Sequence, residues 1–124
     1  HMMTTAQAQA REHLAHIVDL VRRLLQDAED GDAARAEIED LPLEVLVRSG
    51  WHRPGEAMES EEYQILLATG GPAVRIVGTL NQWGEPETAK LQFQDWFTPW
   101  EELETSAEDV DALLTFARQF YYGE

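Results

Sequence analysis

His13, His16 and His52 each have carboxylates nearby in the sequence, the first ingredient of acid–base or metal chemistry. His13 and His16 stand three residues apart beside Glu12 and Asp19. Metal sites do use closely spaced helical His and carboxylate ligands. The spacing here is not that of the His-Glu-x-x-His zinc motif. His13 falls at the edge of an apolar stripe and His16 opposite it, which reads as solvated helix surface. No metal site is expected.

His52 lies in Trp51-His52-Arg53, between the breakers Gly50 and Pro54. It could serve as a general base only with an orienting carboxylate and a substrate cavity. Glu56, Glu59, Glu61 and Glu62 are close in sequence, so a small hydrolase is one reading. An exposed or packed loop anchored by Trp51 is the plain one. Ser49, Ser60 and Ser106 lack a nucleophile elbow. Gly70-Gly71-Pro72 and Gly78 do not form a phosphate loop, which needs a strand-to-helix setting. There is no cysteine, which removes thiolate chemistry, disulfides and Cys-based zinc sites. The sequence assigns no catalytic residue and no cofactor.

Two other groups of residues suit binding. Arg48, Arg75, Lys90, Gln92 and Gln94 fall on one side of predicted strands, with His52 in the adjoining loop. They suit a small ligand or anion. The run Asp95-Trp96-Phe97-Thr98-Pro99-Trp100 is followed by Glu101, Glu102 and Glu104. One reading is a structural corner in which Trp rings seal the core edge. The other is an aromatic hot spot, since Trp and Tyr dominate protein interfaces. In that case Trp96, Trp100, Glu101, Glu102 and Glu104 meet a partner.

The elements that must position these groups are legible from periodicity. Residues 4–29 form an amphipathic helix with Leu14, Ile17, Val18, Val21, Leu24, Leu25 and Ala28 on its apolar stripe. Gly31 is expected to end it. A second helix spans 32–40, with Asp32 as N-cap and Pro42 beyond its end. Strands follow at 43–49, 63–69, 73–80 and 88–97. Gly70-Gly71 supplies a hairpin turn. The last helix lies within 105–122, entered by a Ser106/Asp109 or Thr105/Glu108 capping box. Its stripe is Val110, Leu113, Leu114, Ala117, Phe120 and Tyr121, with Gly123 as its terminal glycine.

The order α-α-β-β-β-β-α predicts an α+β fold, a four-stranded antiparallel meander with helices on one face. Alternation puts Val45, Val47, Tyr63, Ile65, Leu67, Val74, Ile76, Leu80, Leu91 and Phe93 on the core face. Glu44, Leu46, Arg48, Gln64, Leu66, Arg75, Val77, Thr79, Lys90, Gln92, Gln94 and Trp96 fall on the other. A bulge near Gly78 would disturb this sorting.

At 124 residues the chain fits a single domain. His1-Met2 ahead of Met3 reads as a cloning remnant. No apolar run approaches the ~20 residues that span a bilayer. The start MTTAQAQAREHL has no apolar signal core. A cytoplasmic location is expected. The net charge is −15, from 24 acidic and 9 basic residues, eight of the latter Arg. Carboxylates concentrate at 27–40, 56–62 and 101–111. Such a field repels nucleic acid and anionic membranes and attracts basic protein surfaces. Solubility or a saline habitat also accounts for the charge. Self-association stays open.

ATGGPAVRIVGTL, then Pro86, AKLQFQDW and TPW, resembles a family of small bacterial proteins often carried on phages, plasmids and other mobile elements. The resemblance spans residues 49–123 and includes FARQFYYG. No activity attaches to that family, so it implies no site residues. It implies a context of mobile-element accessory genes, in which small acidic proteins sometimes block host defence by imitating DNA. The leading expectation is a non-enzymatic domain that binds a basic, nucleic-acid-handling protein. A small-ligand domain is the alternative.

Overall fold

A computed structural model describes residues 4–26 and 28–123. The elements are α1 (Thr5–Gln26), α2 (Ala28–Asp40), β1 (Glu44–Arg48), β2 (Glu62–Ala68), β3 (Ala73–Thr79), β4 (Lys90–Gln94), β5 (Glu101–Glu102) and α3 (Ala107–Ala117). The strands form one antiparallel sheet in sequence order, β1-β2-β3-β4-β5. The fold is α+β as expected, with five strands rather than four. Two-residue β5 has no alternation to detect. It is fixed by register, Gln92 against Glu102 and Phe93 against Glu101.

The helices gather on one face. α1 packs on α2 and α3 and reaches β3 and β4. Its buried residues are Ala6, Ala10, Leu14, Ile17, Leu20 and Val21. The stripe is therefore rotated from the expected one: Val18 is on its margin and Leu25 is 71% exposed. These residues share one cluster with Tyr63, Ile65, Leu67, Val74, Ile76, Leu91 and Phe93. The expected core face of β2, β3 and β4 is thus the observed one. Val47 departs from it and is exposed, because β1 is an edge strand paired only with β2.

Gly31 does not end a helix. It lies inside α2 and is buried. A Cβ there would stand 3.1 Å from the Leu24 carbonyl oxygen, so glycine lets α2 cross α1 at close range. Asp32 is consequently inside α2 rather than its cap. Ala34 and Ile38 complete the packed side of α2. The side chains at 27 and 28, including the Asp27 that heads the first acidic run, lie outside the described residues.

Ser106 caps α3 in a reciprocal box with Asp109. α3 stops at Ala117, short of the expected end. The Tyr122 hydroxyl donates at 2.6 Å to the Ala117 carbonyl, a helix-terminal acceptor that also takes the Phe120 N–H at 3.3 Å. Tyr122 rather than Tyr121 therefore enters the core, where its ring centroid is 5.1 Å from that of Tyr63. Gly123 has no capping role. Burial raises the pKa of both tyrosines.

The register break lies in β2 between Leu66 and Ala68, not at Gly78. Gly78 serves a close approach instead: a Cβ there would fall 1.9 Å from the Thr88 carbonyl oxygen. The Tyr63 hydroxyl donates to that same oxygen at 2.7 Å. No described helix is long and apolar enough to cross a membrane.

Candidate functional site: the open sheet face and its aromatic corner

The strand register assembles the uncovered face as rows across the sheet. One row runs Glu44, Leu66, Arg75, Gln92, Glu102. The next runs Leu46, Gln64, Val77, Lys90. Arg48, Glu62 and Thr79 form a third. A depression of about 390 Å³ opens over these rows, with Leu46, Arg48, Gln64, Arg75, Val77 and Gln92 in its lining.

Three cations face this surface, as the alternation predicts, but in different states. Arg48 holds Glu62 through two hydrogen bonds, 3.0 Å from Nε and 3.1 Å from Nη2. That pairing lowers the Glu62 pKa and raises that of Arg48. Lys90 lies 3.5 Å from Glu102. Arg75 has no carboxylate partner among the described residues. Its Nε donates to Gln92 Oε1 at 2.9 Å and its Nη1 to Gln64 Oε1 at 2.8 Å. Its Cζ lies 4.0 Å from the Trp100 ring centroid, within cation–π range. Desolvation and, secondarily, Arg48 lower its pKa. Arg75 stays a cation, since guanidinium does not deprotonate in proteins.

The aromatic run turns the chain from β4 into β5. Asp95 N–H donates to Thr98 Oγ1 at 3.1 Å, and that hydroxyl donates to the Asp95 carbonyl at 3.1 Å. Gln94 Nε2 donates to the Thr98 carbonyl at 2.8 Å, so Gln94 braces this turn rather than lining the depression. Phe97 has φ of 60°, alone among the described non-glycine residues in being positive. That conformation is strained for a bulky side chain. The rings do not seal the core edge: Trp96 is 64% exposed and Phe97 is fully exposed. Leu103 closes the core there instead, its N–H donating to the Leu91 carbonyl at 2.9 Å. Trp96 lies over Gly71, where a Cβ would stand 3.2 Å from its Nε1. Trp100 is half-buried on Arg75. Glu101, Glu102 and Glu104 are exposed beside this corner.

The two groups of candidate residues thus meet in one surface, joined by Arg75 and Trp100. Gln64 and Phe97 were missing from both groups. Gln64 belongs because it is diagonal to Arg75 across β2 and β3, a relation that only the register reveals. Phe97 belongs because of its backbone angle, for which the sequence has no marker.

His52 joins neither group. It is exposed in the loop after β1, with Nδ1 3.1 Å from the Gly50 carbonyl. Its neighbouring carboxylates serve the backbone: Glu61 accepts from Gly50 N–H and Glu56 from Arg53 N–H, each at 2.5 Å. Trp51 is fully exposed and anchors nothing. On α1, His16 lies 3.7 Å from Glu37 of α2. His13 is half-buried, and desolvation, then His16, lower its pKa against the opposing pull of Glu12. Among the described residues no three potential ligands converge on a metal position. Comparison with protein-family models, curated proteins and solved structures finds no match to the chain.

Proposed function

We propose that this chain is a non-enzymatic binding domain that docks a basic protein partner at the β4–β5 aromatic corner. One observation carries the reading: Trp96 and Phe97 are held out in solvent on a turn that forces Phe97 to φ 60°. Strain of this kind persists only where its surroundings impose it, and it concentrates at binding sites. Exposed Trp and Phe are also the side chains that anchor protein interfaces.

Charge supplies the partner's chemistry. The corner is followed by Glu101, Glu102 and Glu104 in a chain of net charge −15. A surface rich in Lys or Arg is steered toward such a field. In its sharpest form the partner is a nucleic-acid-handling protein whose phosphate-binding surface accepts these carboxylates in place of phosphates.

Capture from a lysate of the source organism tests this, run at low and high salt with the parent chain and with Trp96→Ala. A basic protein retained by the parent, released by salt and lost from Trp96→Ala is the expected result. Exposed charges are screened within about 8 Å at physiological ionic strength, so release by salt is integral to the reading. Retention indifferent to both salt and Trp96→Ala overturns it.

A further inference from the structure

We propose that the depression on the open sheet face is a binding site for a small monocarboxylate with an apolar body, received by Arg75 between Gln64 and Gln92. The inference does not rest on the basic-partner reading, since it concerns a ligand of opposite charge.

Donor polarity sets the ligand's sign. A guanidinium has five N–H donors and no acceptor. The hydrogen bonds of Arg75 to Gln64 and Gln92 therefore turn both amide oxygens toward it. Each glutamine is left presenting its NH2 group. Arg75 keeps three further N–H donors, because its Nη2 and one Nη1 hydrogen are not used in these bonds. Arg75, Gln64 and Gln92, all in the lining, thus offer a set of unused donors, which an acceptor-only group such as a carboxylate completes.

Among the described residues no carboxylate fills this role, although the chain has 24 acidic residues. Glu62 lines the same depression but is held by both its oxygens on Arg48. Glu102, in the row of Arg75, pairs with Lys90. Arg75 is meanwhile fixed on three sides by Gln64, Gln92 and the Trp100 ring. A preorganised fork of this kind loses little freedom when it binds.

The volume and charge of the depression set the size and charge of the ligand. About 390 Å³ lies within the ~300–1,000 Å³ range of small-molecule pockets. Arg75, a cation with no carboxylate partner among the described residues, matches one negative charge, since Glu62 is already paired with Arg48. A phosphate monoester, at about −1.5 to −2, brings too much. Leu46 and Val77 line the depression and supply apolar contact.

The test is a ¹⁵N-detected NMR titration of the whole chain with benzoate, using neutral benzamide and inorganic phosphate as comparators. Saturable shifts of the Arg75 Nε–H and of the Gln64 and Gln92 side-chain amides are expected with benzoate and not with benzamide. Arg75→Gln should weaken benzoate binding about tenfold to a hundredfold, the loss of one charge-assisted contact. Gln64→Leu keeps the cation and should weaken it several-fold, which covers the case in which Arg75→Gln disturbs the fold. The proposal is overturned by absence of saturable shifts at these groups, by equal response to benzamide, by tighter binding of phosphate, or by affinity unchanged in both variants.

Discussion

The Arg75 guanidinium carbon lies 4.0 Å from the centre of the Trp100 ring, so a residue of β3 is clamped by the chain leading into β5. This contact ties the short edge strand to the middle of the sheet. A double-mutant cycle of Arg75→Gln and Trp100→Ala should give a coupling of about 0.5–1 kcal/mol, the range for a partly solvated cation–π pair. Chemical denaturation of the four proteins measures it, and additive effects would mean that the stack contributes nothing.

Phe97→Gly separates stability from binding at the aromatic corner. Relief of the left-handed conformation favours glycine by about 1–2 kcal/mol, and the greater chain freedom of glycine opposes it by about 0.5–1 kcal/mol. The variant should be as stable as the parent or slightly more so in a urea titration. It should nevertheless lose partner retention. A variant destabilised by more than about 1 kcal/mol would show that the ring supports the fold.

Gly78→Ala should be among the most damaging single substitutions. Its Cβ would sit 1.9 Å from the Thr88 carbonyl, a main-chain atom also held by the Tyr63 hydroxyl. Forced overpacking costs about 1–3 kcal/mol and occasionally more. A loss at or above the top of that range is expected in equilibrium unfolding, and an unchanged midpoint would refute the close approach.

His13 makes stability depend on pH. Burial and His16 lower its folded-state pKa below the ordinary 6.5, so the unfolded chain binds the proton more readily. The stabilisation from the neutral ring is present above 6.5 and is lost as pH falls through that value toward the folded pKa. Replacing His13 with Gln should flatten the stability profile in this window. An NMR titration placing His13 at or above 6.5 would contradict it.

Much of the architecture was readable because it rests on local chemistry. Period-2 alternation placed Arg75 and Gln92 on the open face and Ile76 and Leu91 in the core. The Ser106–Asp109 box marked the start of α3. The failures have a common origin in contacts remote in sequence. Gly31 reads as a breaker until α1 is known to pass beneath it. Tyr121 fits the helical period better than Tyr122, but α3 has already ended and Tyr63 waits for the latter's ring. The site followed the same rule. Its residue types were visible, whereas the amide frame around Arg75 and the angle at Phe97 arise only from the assembled sheet.

β1 pairs on one side only, and Leu43, Leu46 and Val47 are exposed along or beside it. An apolar edge with open main-chain groups is a template for adding a further strand, the usual first step of aggregation. Here every copy carries the same large negative charge, with Glu44 on the edge strand itself. Mutual repulsion therefore keeps such edges apart at neutral pH. Acidification neutralises the carboxylates and lowers that barrier, so turbidity of the solution is expected to rise as the pH is brought down.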